Sequence, residues 1–182
     1  MPMRFRRCGR MPVVPNPLLT SDVDAFMNVG EVDLTVVREL WPAFSCREPG
    51  IFLNPKVIWR HMESRDDFAL RLKVFNTLGP FVPDIVNAPH VTARYASVPG
   101  GHAGINLACP LEGFDGLGDH VVVCVRMLPP EEVRAGRRHY VATIFPWHER
   151  RRTSYLLKND HRVHDRHCVV TPQGARVLTD TA

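Results

Sequence analysis

The sequence predicts an α+β fold, with N-terminal helices packed on a mostly antiparallel sheet of four or five strands. Helical periodicity and capping signals precede residue 90, and short β-branched segments separated by Pro- and Gly-containing turns follow it. Helices followed by strands, rather than an alternation of the two, are typical of α+β proteins. At 182 residues, the chain is predicted to comprise an N-terminal arm with short helices (residues 1–50), a central domain (51–158) and a basic, His-rich tail (159–182).

Composition limits the classes of function. Hydrophobic residues make up 45% of the chain and charged residues 23%, as in globular domains. The net charge of +4 permits binding to a polyanion without requiring it. Five cysteines with no C-x-x-C spacing favour a reducing, cytoplasmic compartment and no disulfide framework. The longest apolar run, residues 121–125, is too short to span a bilayer, so no membrane partner is expected.

Two short helices are predicted in the arm. Ser21 and Asp22 have the side chains of N-cap residues, which predicts a helix over residues 21–27. Leucine and valine side chains at helical spacing predict a second helix over residues 33–41.

The central domain opens with a short strand and a well-capped helix. Residues 51–53 are apolar and β-prone, and Asn54 and Pro55 have the side chains favoured at the N-cap and first position of a helix. This predicts a helix over residues 55–63. Ser64 is predicted to cap a further helix that ends at Gly79, with a turn-rich connector over residues 83–89.

The chain beyond residue 90 has the pattern of a sheet. Strands are predicted over residues 91–98, 105–109, 120–128 and 139–145, with a loop over 113–119 and a helix-like stretch over 149–158. Strict alternation along the fourth strand would place Tyr140 and Thr143 on opposite faces of the sheet.

Histidine and arginine side chains are the chemistry-bearing candidates, because no phosphate-binding loop, dinucleotide fingerprint, nucleophile elbow or H-E-x-x-H motif is present. His61 can exchange a proton near neutral pH, although a histidine on a helix surface is often only a packing residue. The arginines of the C-terminal half, among them Arg126 and Arg151, can hold phosphate by bidentate hydrogen bonds, or can simply form a solvated face. Interleaved aromatic residues, including Tyr155, can stack on unpaired bases.

A second histidine group raises a metal-binding alternative. His161, His164 and Cys168 have a spacing that can present ligands on one helical face. The arginines between them oppose a cation, and a solvated basic tail is the simpler interpretation. No metal and no cofactor are therefore expected.

Three stretches resemble the barnase, EndoU, colicin and RelE-like superfamily of metal-independent ribonucleases, as found in phage and polymorphic-toxin proteins. The first is the strand and Asn-Pro helix start that leads to His61. The second is a helix closing in a proline-containing turn, residues 78–89. The third is the strand over residues 120–128, followed by Tyr-Val-x-Thr-x-Phe-Pro at residues 140–146, with Arg151 and Tyr155 beyond it.

The resemblance implies an RNA endonuclease in which the ribose 2′-hydroxyl attacks the adjacent phosphodiester. It implies RNA as the partner and an immunity or antitoxin protein as a second one. His61 would be the base or the acid, and Arg126 or Arg151 would hold the phosphate. Thr143 would donate a hydrogen bond to a phosphate oxygen or position a reactive group. Arg65 and Asp66 stand where the family has a second histidine, which leaves His139 and Tyr155 as candidates for that role. The alternatives are a non-catalytic nucleic-acid- or protein-binding module and a zinc-binding protein that uses His161, His164 and Cys168.

Overall fold

The computed structural model describes residues 26–87, 92–97, 103–148 and 167–178. The described helices are α1 (Leu34–Leu40), α2 (Pro55–Glu63), α3 (Phe68–Leu78), α4 (Val82–Asn87) and α5 (Pro130–Arg134), with a 3-10 turn at Gly79–Phe81. The described strands are β1 (Met27–Glu31), β2 (Gly50–Leu53), β3 (Thr92–Ser97), β4 (Ala103–Pro110), β5 (His120–Met127), β6 (His139–Trp147), β7 (His167–Thr171) and β8 (Gly174–Leu178). The α+β prediction is confirmed, although α5 follows residue 90.

The first six strands form one mixed sheet in the order β1-β2-β6-β5-β4-β3. Four of its pairings are antiparallel, and β2 runs parallel to β6. The sheet therefore has more strands than the four or five predicted, because β1 forms in the N-terminal arm, where no strand was expected. Helices α2 and α3 both contact β6, which places them beside the centre of the sheet.

Local capping chemistry explains where α2 begins. The Asn54 side chain accepts a hydrogen bond from the Lys56 amide at 2.9 Å, and Pro55 occupies the first turn, where no amide hydrogen bond is lost. Both features were predicted. Ser64, predicted to begin the next helix, instead lies at the end of α2 and donates its hydroxyl to the His61 carbonyl oxygen.

The structure differs from two further predictions about the helices. Residues 83–89 were expected to form a connector, but Val82–Asn87 is helical. Pro83 lies in the first turn of this helix, where proline is tolerated. Met27, the expected last residue of the helix predicted over residues 21–27, instead begins β1, and residues 21–25 lie outside the described residues.

A single cluster of buried side chains joins the helices to the sheet. Ile58, Met62, Phe75 and Leu78 contribute from α2 and α3, and each is almost fully buried. Burying a side chain of this size stabilises a fold by roughly 1.5–3 kcal/mol. Cys46, Cys109 and Cys124 are present as thiols. No helix in the described ranges combines the length and the apolar character needed to cross a bilayer.

Burial along β5 divides the sheet into a covered part and a more open part. The first four residues of this strand are all buried, which means that both faces are covered there. From Cys124 onward, burial alternates, and Cys124 and Arg126 are partly exposed. The C-terminal end of β5 is thus where one face of the sheet becomes accessible.

The C-terminal segment assigned to a tail contains a β-hairpin formed by β7 and β8. Val170 forms a bridge with Leu111, and its carbonyl oxygen accepts a hydrogen bond from the Glu112 amide at 3.0 Å. Its side chain is fully buried in the main core. Part of this segment is therefore integral to the domain.

The edge strand β1 is held to α4 by the side chain of Asn87. Its oxygen accepts from the Glu31 amide at 3.0 Å, and its nitrogen donates to the carbonyl oxygens of Val29 and Pro83. This close approach requires Gly30, which has a φ of +135° and whose missing Cβ would lie 2.2 Å from the Asn87 side-chain nitrogen.

Gly30→Ala is therefore expected to lower the free energy of unfolding by roughly 2–3 kcal/mol, because strain at positive φ is added to displacement of Asn87. Urea denaturation followed by tryptophan fluorescence measures the loss. Gly136→Ala is the matched control, because Gly136 also has a positive φ but nothing lies within 4 Å of the added Cβ. Equal losses in the two variants would contradict the assigned contact with Asn87.

Candidate nucleic-acid interface

A bulge in β6 brings Tyr140 and Thr143 onto the same face of the sheet. Thr143 is paired with Cys124, and Tyr140 with Arg126, with a register shift between the two pairs. Cys124 and Arg126 are two residues apart on β5 and therefore point the same way, as do their paired residues. The prediction from strict alternation was wrong, because the bulge inserts one residue, Ala142, into β6.

This side of the sheet, here called the basic face, is formed by Phe52, Arg126, Tyr140 and Phe145. Phe52 is paired with Tyr140 across β2 and β6, so the two share a side. The Arg138 guanidinium lies 4.8 Å from the centroid of the Phe52 ring, and that of Arg71 lies 5.4 Å from the Phe145 ring. Guanidinium groups held over aromatic rings are oriented by cation–π attraction while they keep their charge.

His61 lies in the last turn of α2, next to the basic face. Burial lowers the pKa of His61, and the guanidinium groups of Arg65, Arg71 and Arg126 lower it further. The Arg65 Nη2 is 3.5 Å from the His61 Nε2. The structure thus places His61 within electrostatic range of Arg126, and the imidazole is predominantly neutral at pH 7.

Among the arginines that act on His61, Arg126 has the guanidinium group best placed to bind an anion. Arg71 already forms an ion pair with Asp67, with 2.6 Å between Nε and Oδ1. Arg126 is half-buried, and it has no carboxylate partner among the residues that the structure describes. A half-buried cation without a counter-ion is costly, and a bound anion would offset that cost.

Thr143 lies on the same side of the sheet but beneath its surface. The residue is only 5% exposed, and its hydroxyl oxygen is covered and has no hydrogen-bond partner in the described part of the chain. Direct contact between this hydroxyl and a phosphate, as expected from the sequence, does not fit this burial. Thr143 is therefore not expected to contact a bound phosphate.

His139 is unsuited to be the second proton-transfer group. The side chain is 1% exposed. Its Nδ1 accepts a hydrogen bond from the Leu128 amide at 2.9 Å, and its Nε2 lies 3.0 Å from the Glu48 carbonyl oxygen, to which it donates. Both ring nitrogens are thus engaged by the backbone, and the role suggested for His139 from the sequence was wrong. From the start of β6, His139 links the backbone just before β2 to the backbone just after β5.

Burial lowers the pKa of His139, although the nearby Glu48 backbone and carboxylate oppose this effect. The fold therefore favours neutral His139, and this contribution is complete above the unfolded pKa of about 6.5. We expect the free energy of unfolding to fall as the pH is lowered from 7.5 to 5, because the unfolded chain takes up the proton first. Urea denaturation across this range measures the effect.

The test of this pH dependence uses the His61→Ala background, because the pKa of His61 is also lowered. Adding His139→Gln should reduce overall stability and flatten its pH dependence between pH 7.5 and 5. An equally steep dependence with and without His139 would assign the acid sensitivity to other groups.

Several candidate residues are not placed by the structure. Arg151, Tyr155, His161 and His164 lie outside the described residues, and Cys168 lies in β7 with its side chain undescribed. Within the described ranges, no group of three His, Cys, Asp or Glu side chains has the arrangement needed to hold a metal ion. The metal-binding alternative consequently stays a prediction.

Sequence reasoning did not identify Arg65 and Arg71 as members of the site. Arg65 follows His61 by four residues, a spacing that brings side chains together near a helix end, so this signal was available. Arg71 belongs to the next helix, and only the packing of α2 and α3 against β6 places it near both Phe145 and His61.

None of the family models, curated proteins or solved structures compared with the chain matches it. The resemblance to metal-independent ribonucleases therefore stays an interpretation of sequence pattern. Any functional assignment depends on the chemistry of the basic face and of His61.

Proposed function

We propose that the basic face binds single-stranded RNA and that His61 acts there as the general base of metal-independent cleavage. The observation that carries this proposal is the placement of a half-buried imidazole within electrostatic range of Arg126, a guanidinium without a described carboxylate partner. Attack by a ribose 2′-hydroxyl needs a base and a cation near the non-bridging phosphate oxygens. His61 and Arg126 supply these two requirements.

The positive charges around His61 favour its role as a neutral general base. Burial lowers the pKa of His61, and three guanidinium groups lower it further, which favours the neutral imidazole at neutral pH. His61 accepts the proton of the 2′-hydroxyl while the 2′-oxygen forms a bond to phosphorus. The bond from phosphorus to the 5′-oxygen breaks, which leaves a 2′,3′-cyclic phosphate and a 5′-hydroxyl. The departing oxygen takes a proton from water or from a second side chain, for which Tyr155 is the candidate from the sequence.

The aromatic residues favour an unpaired strand as the ligand. Phe52, Tyr140 and Phe145 are all partly exposed on the basic face, and two of them have a guanidinium over the ring. Bases of single-stranded RNA stack on such rings, whereas the bases of a duplex are already stacked on each other. Phosphate recognition by Arg126 next to these rings is the combination that an RNA strand requires.

A non-catalytic RNA-binding module is the second candidate, and a specific observation favours it. His139 is not available as a second proton-transfer group, since both of its ring nitrogens are engaged by the backbone. The charged groups that affect His61 are all arginines, which bind phosphate but do not exchange protons near neutral pH. Such a protein would hold RNA without cutting it.

Cleavage of a labelled single-stranded RNA by the full chain, in the presence of EDTA, tests the enzymatic proposal. We expect fragments ending in a 2′,3′-cyclic phosphate, and no cleavage of the same strand made with 2′-deoxyribose, because the nucleophile is then missing. Salt-sensitive binding of intact RNA without cleavage would favour the binding module. If the chain neither binds nor cleaves the RNA, the proposed role in RNA recognition is refuted.

A further inference from the structure

A cavity of about 450 Å³ lies next to the basic face, between α2 and the start of β6. It is lined by Phe26, Val57, Tyr140 and the turn at residues 136–138. Two of these residues connect it to the proposed site. Tyr140 is paired with Arg126 across β5 and β6, and Val57 precedes His61 by one helical turn.

The lining suits a flat aromatic group with hydrogen-bond acceptors. Phe26 is 48% exposed, a high value for a large apolar side chain, and Tyr140 supplies a second ring. Arg138 is held over Phe52, and Arg137 pairs with Glu132, so both guanidinium groups are restrained at the rim. Aromatic rings and restrained guanidinium planes are the groups on which unpaired bases stack and to which they hydrogen-bond.

A neighbouring cavity of about 390 Å³ indicates in which direction a bound RNA strand would leave the first cavity. It shares Arg137 and Arg138 with the first cavity, but it is also lined by Glu31 and Glu48. These carboxylates would repel phosphate groups. The sugar–phosphate chain is therefore expected to leave the first cavity toward Arg126.

From this arrangement we infer that the cavity bounded by Phe26, Val57, Tyr140 and Arg138 is a subsite for one unpaired nucleobase. The inference rests on the proposed function, since it places the base beside the phosphate held by Arg126. The size of the cavity lies within the range of small-molecule sites. Stacking against Tyr140, rather than phosphate contact, would then supply the affinity in this subsite.

Calorimetric titration of the full chain with nucleoside 5′-monophosphates and with ribose 5-phosphate tests the subsite. The nucleotides should bind about 10-fold or more tightly than the sugar phosphate, because only they carry a base. Tyr140→Leu, which retains apolar bulk without the ring, should weaken nucleotide binding by about 5- to 100-fold and leave ribose 5-phosphate binding unchanged. The matched control is Trp59→Leu, which removes an exposed ring on α2 that does not line the cavity.

The outcomes separate this inference from the proposed function. Equal affinity for nucleotides and ribose 5-phosphate would overturn the subsite and leave cleavage by His61 intact. Binding of phosphate-free nucleosides that is lost in Tyr140→Leu would support the subsite even if no RNA is cleaved. If Tyr140→Leu fails to fold, Val57→Trp serves instead, because Val57 is partly exposed and a larger side chain there would fill the cavity. Unchanged nucleotide affinity in a folded Val57→Trp protein would overturn the inference.

Discussion

His61→Ala is expected to lower RNA cleavage by about 10²- to 10⁴-fold, the contribution typical of a general base. The fold should be retained, because His61 is only half-buried and alanine is a better helix former than histidine. Initial rates on a labelled single-stranded RNA, together with the urea midpoint, measure the two effects separately. RNA affinity should change little, since the neutral imidazole contributes no charge to phosphate binding.

His148→Ala is the matched histidine control. His148 is an exposed residue just after β6, and its ring lies 3.8 Å from the Asp119 carboxylate. Its replacement should leave cleavage unchanged. Unaltered turnover in His61→Ala would refute the assignment of the base, and an equal loss in both variants would indicate a nonspecific effect.

The pH profile gives a further test of the same residue. The proposed cleavage requires neutral His61, so its rate should fall on the acid side with a midpoint below about 6.5, the ordinary histidine pKa. Titration of the His61 imidazole by NMR should give the same midpoint without RNA. A midpoint above 6.5 would contradict the positive surroundings assigned to this side chain.

Arg126→Gln is expected to reduce cleavage by about 10²- to 10³-fold, as for loss of a group that stabilises transition-state charge. RNA binding should weaken as well, and the salt dependence of binding should decrease by about one phosphate contact, a slope change of about 0.7 for single strands. Stability should not fall, because the substitution removes a half-buried charge that has no described carboxylate partner. Fluorescence anisotropy at several salt concentrations measures binding.

Arg134→Gln provides the control for loss of one positive charge. Arg134 is exposed on α5, its Nε donates to the Pro130 carbonyl oxygen, and it is not among the arginines that lower the pKa of His61. This variant should show little change in cleavage. Arg126→Gln should also raise the pKa of His61, because one of the three cations that lower it is removed. Equal effects of the two arginine variants would mean that net charge, rather than a phosphate site, governs binding.

The elements predicted correctly are those governed by local chemistry. Asn54 and Pro55 define the start of α2 through a side-chain hydrogen bond and a fixed φ, and both effects act within one turn. The run at residues 121–125 lies within β5, as its β-branched side chains indicate. Predictions failed where two local signals compete, as at Ser64, which has the side chain of an N-cap residue but ends the preceding helix.

The candidate site was only partly accessible to sequence reasoning. His61 and Arg126 were chosen for their chemistry, and the structure places them within electrostatic range of each other. His139 has the same chemistry, but its burial and its contacts with Leu128 and Glu48 give it a structural role. Residue type alone cannot distinguish these histidines, because burial depends on segments distant in the chain.

The sequence by itself determined the α+β class, the capped start of α2 and the residue types able to bind phosphate or exchange a proton, since these depend on side-chain chemistry and on contacts within a few residues. The tertiary structure decided which of those residues meet. The bulge at Ala142 aligns Tyr140 with Thr143, and the packing of α2 and α3 beside β6 brings Arg71 and His61 to the same face as Arg126. Such contacts arise from strand register and helix packing, which involve residues far apart in the chain and leave no local pattern in the sequence.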